Sequence, residues 1–204
     1  MTIPREEVKV RLTFTEECLG MTPADEAVYT KYIASQSPDA KTVAEELESL
    51  PVDEVVQKAK TVFPKTKEGQ PFYWDYQIIG AFKDACGGLR RAKGTLSSEL
   101  KAYKKIIDML VFVEPRQILI DMHGGGELGS CERSLRTATP QGEQTALANS
   151  ETVPAGSTME FTIVLLDSKL KETVFEWLDY GTLHGLGQWR GSGKGRFKWE
   201  QIDK

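Results

Sequence analysis

The sequence has little of what disulfide-bonded, zinc-binding or membrane-spanning proteins need. Its 204 residues include only three cysteines, Cys18, Cys86 and Cys131, with no Cys-x-x-Cys pair. So odd and sparse a set argues against a disulfide framework and against a structural zinc site. No run approaches the roughly 18 consecutive apolar residues that a membrane helix needs, and the N-terminus is too polar for a signal peptide. We therefore expect a cytoplasmic protein with no membrane partner, no metal and no cofactor.

The chain also lacks the overall positive charge that is typical of nucleic-acid binders, since its net charge is −4. Its charges are, however, segregated. Residues 39–60 hold six acids against three lysines, residues 83–105 hold seven bases against two acids, and residues 185–198 hold four bases and no acid. Local distribution matters more than the sum for phosphate binding. The pattern predicts one basic working face, the alternative being ordinary solvated surfaces.

Hydrophobic periodicity predicts an α+β fold in a single domain, residues 1–204. Val8, Val10, Leu12 and Phe14 alternate with polar residues, as in a strand with one buried face. Thr22 and Pro23 resemble a helix start, and residues 36–70 are predicted to form an acidic helical insertion. The further predicted elements are a helix after the aromatic run 72–76, a helix over 96–110, strands on either side of Pro115, a protruding hairpin or loop over 122–150, a strand over 157–166, a helix over 169–180 and a strand from Phe197. Without insertions this order is βαββαβ, the ferredoxin-like arrangement.

The most distinctive segment is glycine-rich and basic, with six glycines between residues 181 and 195. Glycine permits positive φ and close backbone approach, and successive amide groups can form an anion site. Interleaved basic side chains add charge-assisted contacts to phosphate, and Trp189 is placed to stack on a base. A Walker A loop is excluded because Gly195 follows Lys194, where Ser or Thr is required, and because the segment precedes a strand. The candidate ligand-contacting residues are Gly187, Trp189, Arg190, Gly191, Gly193, Lys194, Gly195 and Arg196, together with Lys83, Arg90 and Arg91 of the other basic segment.

Two stretches of the C-terminal half resemble a known family. They are residues 151–161, Glu-Thr-Val-Pro-Ala-Gly-Ser-Thr-Met-Glu-Phe, and residues 193–197, Gly-Lys-Gly-Arg-Phe. Together with residues 71–83 they look like the RAMP superfamily, the repeat-associated RNA-binding proteins that form the backbone of CRISPR effector complexes. The resemblance implies a modified RNA-recognition fold, with RNA across the sheet and the glycine loop. It also implies that the 122–150 segment touches a neighbouring subunit.

Three functional hypotheses follow. The leading one is an RNA-binding subunit of a CRISPR-type assembly, with RNA and other subunits or a second copy as partners. The second is an RNA endonuclease, for which the resemblance suggests an aspartate after the first strand, Asp25, or a histidine general base, His184 or His123. The third is a phage-encoded interaction protein that mimics a backbone subunit, with the acidic residues 39–60 as its partner-binding surface.

Overall fold

A computed structural model of the chain describes residues 3–24, 60–139 and 142–202. These residues form two β-sheets and a layer of helices. In chain order the elements are β1 (Glu6–Phe14), β2 (Cys18–Leu19), β3 (Thr22–Pro23), β4 (Lys60–Val62), β5 (Phe72–Trp74), α1 (Asp75–Leu89), α2 (Leu96–Glu99), α3 (Tyr103–Leu110), β6 (Val111–Glu114), β7 (Gln117–Asp121), β8 (Gly129–Thr139), β9 (Gly142–Val153), β10 (Thr158–Leu165), α4 (Lys171–His184) and β11 (Phe197–Gln201). None of the helices within these ranges is long and apolar enough to cross a membrane.

The main sheet has the strand order β11-β1-β10-β7-β5, and β6 also pairs with β10. Strands β6 and β7 lie one after the other along β10 and are separated by the cis peptide bond before Pro115. If β6 and β7 are counted as one strand, the core has four strands, in the chain order β1, β6–β7, β10 and β11. Across the sheet their order is β11, β1, β10 and β6–β7. All of these pairs are antiparallel. This is the βαββαβ topology, so the predicted ferredoxin-like fold is confirmed.

One face of the main sheet packs against α1 and α4. The alternating apolar residues of β1 are buried and join the core with Ile78 and Phe82 of α1 and Trp177 of α4. The rings of Phe82 and Trp177 lie 5.6 Å apart between centroids, and the Trp177 indole N–H donates a hydrogen bond to Ser97 Oγ at 2.9 Å. Helix α1 begins where the Gln77 side chain accepts a hydrogen bond from the backbone N–H of Trp74 at 2.9 Å, which satisfies an otherwise unpaired donor.

The predicted helix start at Thr22 is wrong, because Thr22 and Pro23 form the edge strand β3. Thr22 pairs with Val62 and Pro23 with Thr61 of β4, a strand within residues 36–70 that were predicted to form a helical insertion. The β-branched residues favour strand pairing, and proline is tolerated on an edge strand, where its missing N–H leaves no ladder bond unmade. The rest of the predicted helix and residues 36–59 of the predicted insertion lie outside the described residues, while its described part, residues 60–70, contains β4 and no helix.

Two other helix predictions needed correction. The helix predicted over 96–110 is divided into α2 and α3, because Ala102 between them adopts a left-handed conformation with φ of 51°. The helix predicted to end near Tyr180 continues to His184. It carries Gly181 because the Phe197 ring of β11 packs there, and a Cβ at this position would lie 2.3 Å from Phe197 Cζ.

The second sheet has the order β2-β9-β4-β3, with β8 paired to β9. Strands β8 and β9 form a long antiparallel hairpin that overlaps the hairpin or loop predicted over 122–150 and ends three residues beyond it, at Val153. Only the end of β9 joins other strands, through residues 149–150 to β4 and 152–153 to β2. Among the described residues, positions 142–148 pair with β8 alone. The base of the hairpin is therefore anchored beside the β1–β2 turn.

Candidate nucleic-acid interface

The glycine loop, residues 185–196 between α4 and β11, is folded back on itself and bonded to the β1–β2 turn. The amide of Leu186 donates to the carbonyl of Gly195 at 2.9 Å, and the amide of Gly195 donates to the carbonyl of Glu17 at 2.8 Å. A third bond runs from the amide of Gln188 to the carbonyl of Leu19 at 3.3 Å. These bonds fix the position of the loop relative to the sheet.

Three glycines of this loop, Gly185, Gly187 and Gly195, are required by close backbone contacts. Gly195 has φ of +70°, and a Cβ there would lie 1.8 Å from the carbonyl oxygen of Leu186. Gly187 has φ of +79°, and a Cβ there would lie 2.3 Å from the carbonyl oxygen of Leu19. Gly191, in contrast, has open space around its Cβ position. The amides of Gly193 and Gly195 donate to backbone carbonyls within the protein. Several glycines of the loop therefore serve its own folding.

A buried thiol and a buried phenol lie beneath Gly187. Cys18 Sγ is 3.1 Å from Tyr73 Oη, and both side chains are almost fully buried. Burial raises the pKa of the Cys18 thiol to about 12, and it raises the pKa of Tyr73 as well. Both groups are therefore protonated at neutral pH. They form an uncharged support for the loop.

Two of the basic side chains of the loop are paired with carboxylates. Arg190 Nη1 lies 2.6 Å from Asp84 Oδ2 of α1, and Lys194 Nζ contacts the carboxylate of Glu17. The hydrogen bond to Glu17 raises the pKa of Lys194. Arg196 and Lys198 are exposed, and neither makes an ion pair within the part of the chain that the structure describes. The last two cations are thus the most available to an anionic ligand.

Trp189 connects the loop to the hairpin. It adopts a left-handed conformation with φ of 56° and is 41% exposed. The guanidinium of Arg133 on β8 lies 5.2 Å from its ring centroid and donates to Gln188 Oε1 at 2.7 Å and to Ser150 Oγ at 3.2 Å. The sequence analysis missed Arg133, because nothing in its local pattern distinguishes it and its contacts are made through tertiary packing.

The candidate catalytic residues are only partly described. Asp25 lies outside the described residues. His184 is the last residue of α4, and its Nε2 lies 3.3 Å from Asp84 Oδ2, so it shares this carboxylate with Arg190. His123 lies in a short 3₁₀ turn after β7, where its amide donates to Ser157 Oγ at 3.0 Å. Within the described ranges, no group of three or more His, Cys, Asp or Glu side chains converges as a metal site.

The three basic candidates of the other segment lie on or after α1, on the side of α1 that faces α3 and α4. Lys83 contacts the carboxylate of Asp108 on α3. The guanidinium of Arg90 lies 5.0 Å from the ring centroid of Tyr103, and Arg91 is exposed. Asp84 joins this cluster to the loop, because its carboxylate is the partner of Arg190.

The face of the main sheet opposite the helices is electrically balanced near its centre. Arg11 contacts Glu160 at 2.6 Å and Glu200 at 3.1 Å, and Lys9 contacts Glu160 at 3.1 Å. These two cations and two acids neutralise each other, so this face has no excess positive charge to attract RNA. Binding of RNA across the sheet stays a prediction. The loop is the stronger candidate surface.

Comparisons with known proteins give a fold and no family. No family description matches this sequence, and no curated protein is similar to it. Over 98% of its length the chain is similar to a chain in the type III-B Cmr-beta complex bound to cognate target RNA, with a TM-score of 0.54 and 11% identity, and it spans 61% of that chain. It is also similar to a chain in a type IV-B CRISPR complex, with a TM-score of 0.50 and 12% identity, covering 98% of this protein and 91% of that chain. This protein therefore has a fold that occurs in CRISPR complexes.

Proposed function

We propose that this protein is an RNA-binding subunit of a CRISPR-type ribonucleoprotein assembly, related to the RAMP superfamily, and that it holds the RNA backbone at the glycine loop. The observation that supports the proposal is the basic loop itself, which is bonded to the β1–β2 turn and joined to the hairpin through Arg133 and Trp189. A similar chain occurs in a complex described as bound to target RNA. RNA and neighbouring subunits are the partners that the proposal requires.

The fixed backbone gives the loop a physical advantage as a binding surface. Because intramolecular hydrogen bonds already order it, RNA binding pays little conformational entropy for the loop. Arg196 and Lys198 supply phosphate contacts from exposed positions, and Trp189 presents a partly exposed ring for base stacking. Arg190 and Lys194 are held in defined positions by Asp84 and Glu17. These features favour binding through the backbone of the RNA, without dependence on its sequence.

The double substitution Arg196→Ala/Lys198→Ala tests this role. Neither side chain has an ion pair within the described residues, so removing both leaves no orphaned carboxylate there. We expect the affinity for a fluorescein-labelled single-stranded RNA to fall roughly tenfold, since each charge-assisted contact at an exposed site contributes about 0.7 kcal/mol and a loss of about 1.4 kcal/mol is tenfold. Fluorescence anisotropy measures the affinity, and the ratio of absorbance at 260 and 280 nm measures any RNA that co-purifies.

The matched control is Lys67→Ala/Lys169→Ala, which removes two exposed lysines that also lack ion pairs in the described chain. It should bind RNA as the wild type does. Equal affinity of the loop variant and this control variant, or wild-type protein that binds no RNA at all, would contradict the proposal.

An endonuclease is the second candidate, because His184 and Asp84 form a pair next to several basic side chains. A binding subunit leaves labelled RNA intact, and we expect this result for the wild type and for His184→Ala after incubation without metal. Denaturing gel electrophoresis of the RNA gives the readout. Cleavage that His184→Ala abolishes and His123→Ala retains would instead establish the endonuclease.

A further inference from the structure

We infer that an open groove between α1, α3 and α4 is a second binding site, and that it takes a phosphate group of a nucleotide chain. The groove encloses about 650 Å³, within the range of small-molecule sites. It is formed by the helical layer, away from the backbone contacts that anchor the glycine loop. The inference rests on the proposed function, because RNA is the source of the phosphate.

The floor of the groove is the glycine pair Gly87-Gly88, in the last turn of α1. Each glycine in a helix costs about 1 kcal/mol relative to alanine, so two in succession need a reason. The structure supplies one: a Cβ on Gly87 would lie 2.9 Å from Tyr103 Oη, and a Cβ on Gly88 would lie 2.9 Å from Tyr180 Oη. The pair allows two tyrosine hydroxyls to approach the helix backbone from neighbouring helices.

These two hydroxyls are available to a ligand. Both tyrosines are half-buried and line the groove, yet neither hydroxyl makes a hydrogen bond within the described residues. Their rings pack against neighbouring side chains: the guanidinium of Arg90 lies over the Tyr103 ring, 5.0 Å from its centroid, and the ring centroids of Tyr180 and His184 lie 5.0 Å apart. A phenol hydroxyl can donate to a phosphate oxygen. The groove is thus lined by two phenol hydroxyls that can donate to a ligand.

The cations of the groove complete an anion site. Arg91 and Lys104 line it, are exposed, and make no ion pair with any residue that the structure describes. Lys83 also lines it but contacts Asp108. The one acid among the lining residues, Asp84, is occupied by Arg190 and His184. Two unpaired cations beside two unpaired hydroxyls match the charge and the acceptor oxygens of phosphate.

The groove and the glycine loop meet at Asp84. This side chain lines the groove and is the ion-pair partner of Arg190 in the loop. A nucleotide chain bound at Arg190 is therefore next to the groove. The groove would then hold a phosphate of the same RNA, either an internal one or the terminal 5′-phosphate.

The test compares two groove variants by anisotropy, using fluorescein-labelled uridine RNA with either a 5′-phosphate or a 5′-hydroxyl. Arg91→Ala/Lys104→Ala should weaken RNA binding about tenfold and lower the slope of log affinity against log salt by about 0.7, the contribution of one neutralised phosphate on a single strand. Tyr103→Phe/Tyr180→Phe keeps both rings and should weaken binding about threefold with an unchanged slope. Lys67→Ala/Lys169→Ala serves as the control and should change neither quantity.

The outcomes separate the site from the proposed function. A 5′-phosphate preference that is lost in the groove variants assigns the terminal phosphate, and equal losses for both RNAs assign an internal one. Groove variants that bind like the wild type, while Arg196→Ala/Lys198→Ala is weakened, overturn this inference and leave the proposed function standing. If the wild type binds no RNA, the proposed function fails. In that case the groove site would still be supported by binding of uridine monophosphate to the wild type that Arg91→Ala/Lys104→Ala abolishes. If the wild type does not bind uridine monophosphate either, the inference is overturned.

Discussion

Gly195→Ala is expected to lower the free energy of unfolding by about 3 kcal/mol or more. A side chain at φ of +70° is strained by about 1–2 kcal/mol. In addition, the new Cβ would lie 1.8 Å from the carbonyl oxygen of Leu186, so the backbone must move. That movement breaks the hydrogen bonds of Gly195 with Leu186 and Glu17, each of which contributes about 1 kcal/mol. Urea denaturation followed by circular dichroism measures the loss.

Gly191→Ala is the matched control in the same loop. No atom lies within 4 Å of its Cβ position, so its stability should stay within about 0.5 kcal/mol of the wild type. Similar stabilities of the two alanine variants would mean that the loop does not fold back on the β1–β2 turn as described. If the ordered loop forms the interface, Gly195→Ala should lose RNA binding and Gly191→Ala should keep it.

Trp177→Ala is expected to cost about 3–5 kcal/mol, the usual range for removing a fully buried aromatic side chain. Trp177 is 1% exposed, packs against Phe82 of α1, and donates its indole N–H to Ser97. Its loss leaves a cavity between α1 and α4 and removes the indole donor from Ser97 Oγ, which keeps its hydrogen bond to Glu176. Thermal denaturation should show the melting temperature falling by about 6–20 °C, on a scale of about 2–4 °C per kcal/mol for a chain of this length.

The corresponding control is Trp189→Ala. This tryptophan is 41% exposed and its main contact is the guanidinium of Arg133, so we expect a change in stability of about 1 kcal/mol or less. Its substitution should instead weaken RNA binding through lost stacking. A large loss of stability in Trp189→Ala, or a small one in Trp177→Ala, would contradict this assignment of the core.

The main sheet could be predicted from the sequence because its signals are local. Apolar and polar residues alternate within β1 and within β10, and apolar residues follow helical spacing after Trp74. Each pattern lies within a single element, and tertiary packing favours the same structure. The helix start predicted at Thr22 was wrong because Thr22 pairs with Val62 of β4, which is 40 residues away in the sequence. Local propensity does not report such a partner.

The site was less predictable, since its geometry depends on distant partners. The basic loop was identified by composition, but Asp84 and Glu17, the partners of Arg190 and Lys194, are 106 and 177 positions away. Arg133 reaches the loop from the hairpin for the same reason. The resemblance to the RAMP superfamily indicated the fold, which the structures of CRISPR complexes confirm, while membership in that family and each RNA contact stay predictions.

The carboxylates of Asp84 and Glu17 have a consequence for what the loop can select. Because they belong to the same chain, they face Arg190 and Lys194 at an effective concentration of millimolar or more. A solitary phosphate ion must compete with each of them unaided and displaces them poorly. A polymer that first engages Arg196 and Lys198 brings its next phosphates to the same high local concentration. If the loop binds RNA as proposed, these two internal acids favour polyanions over small anions.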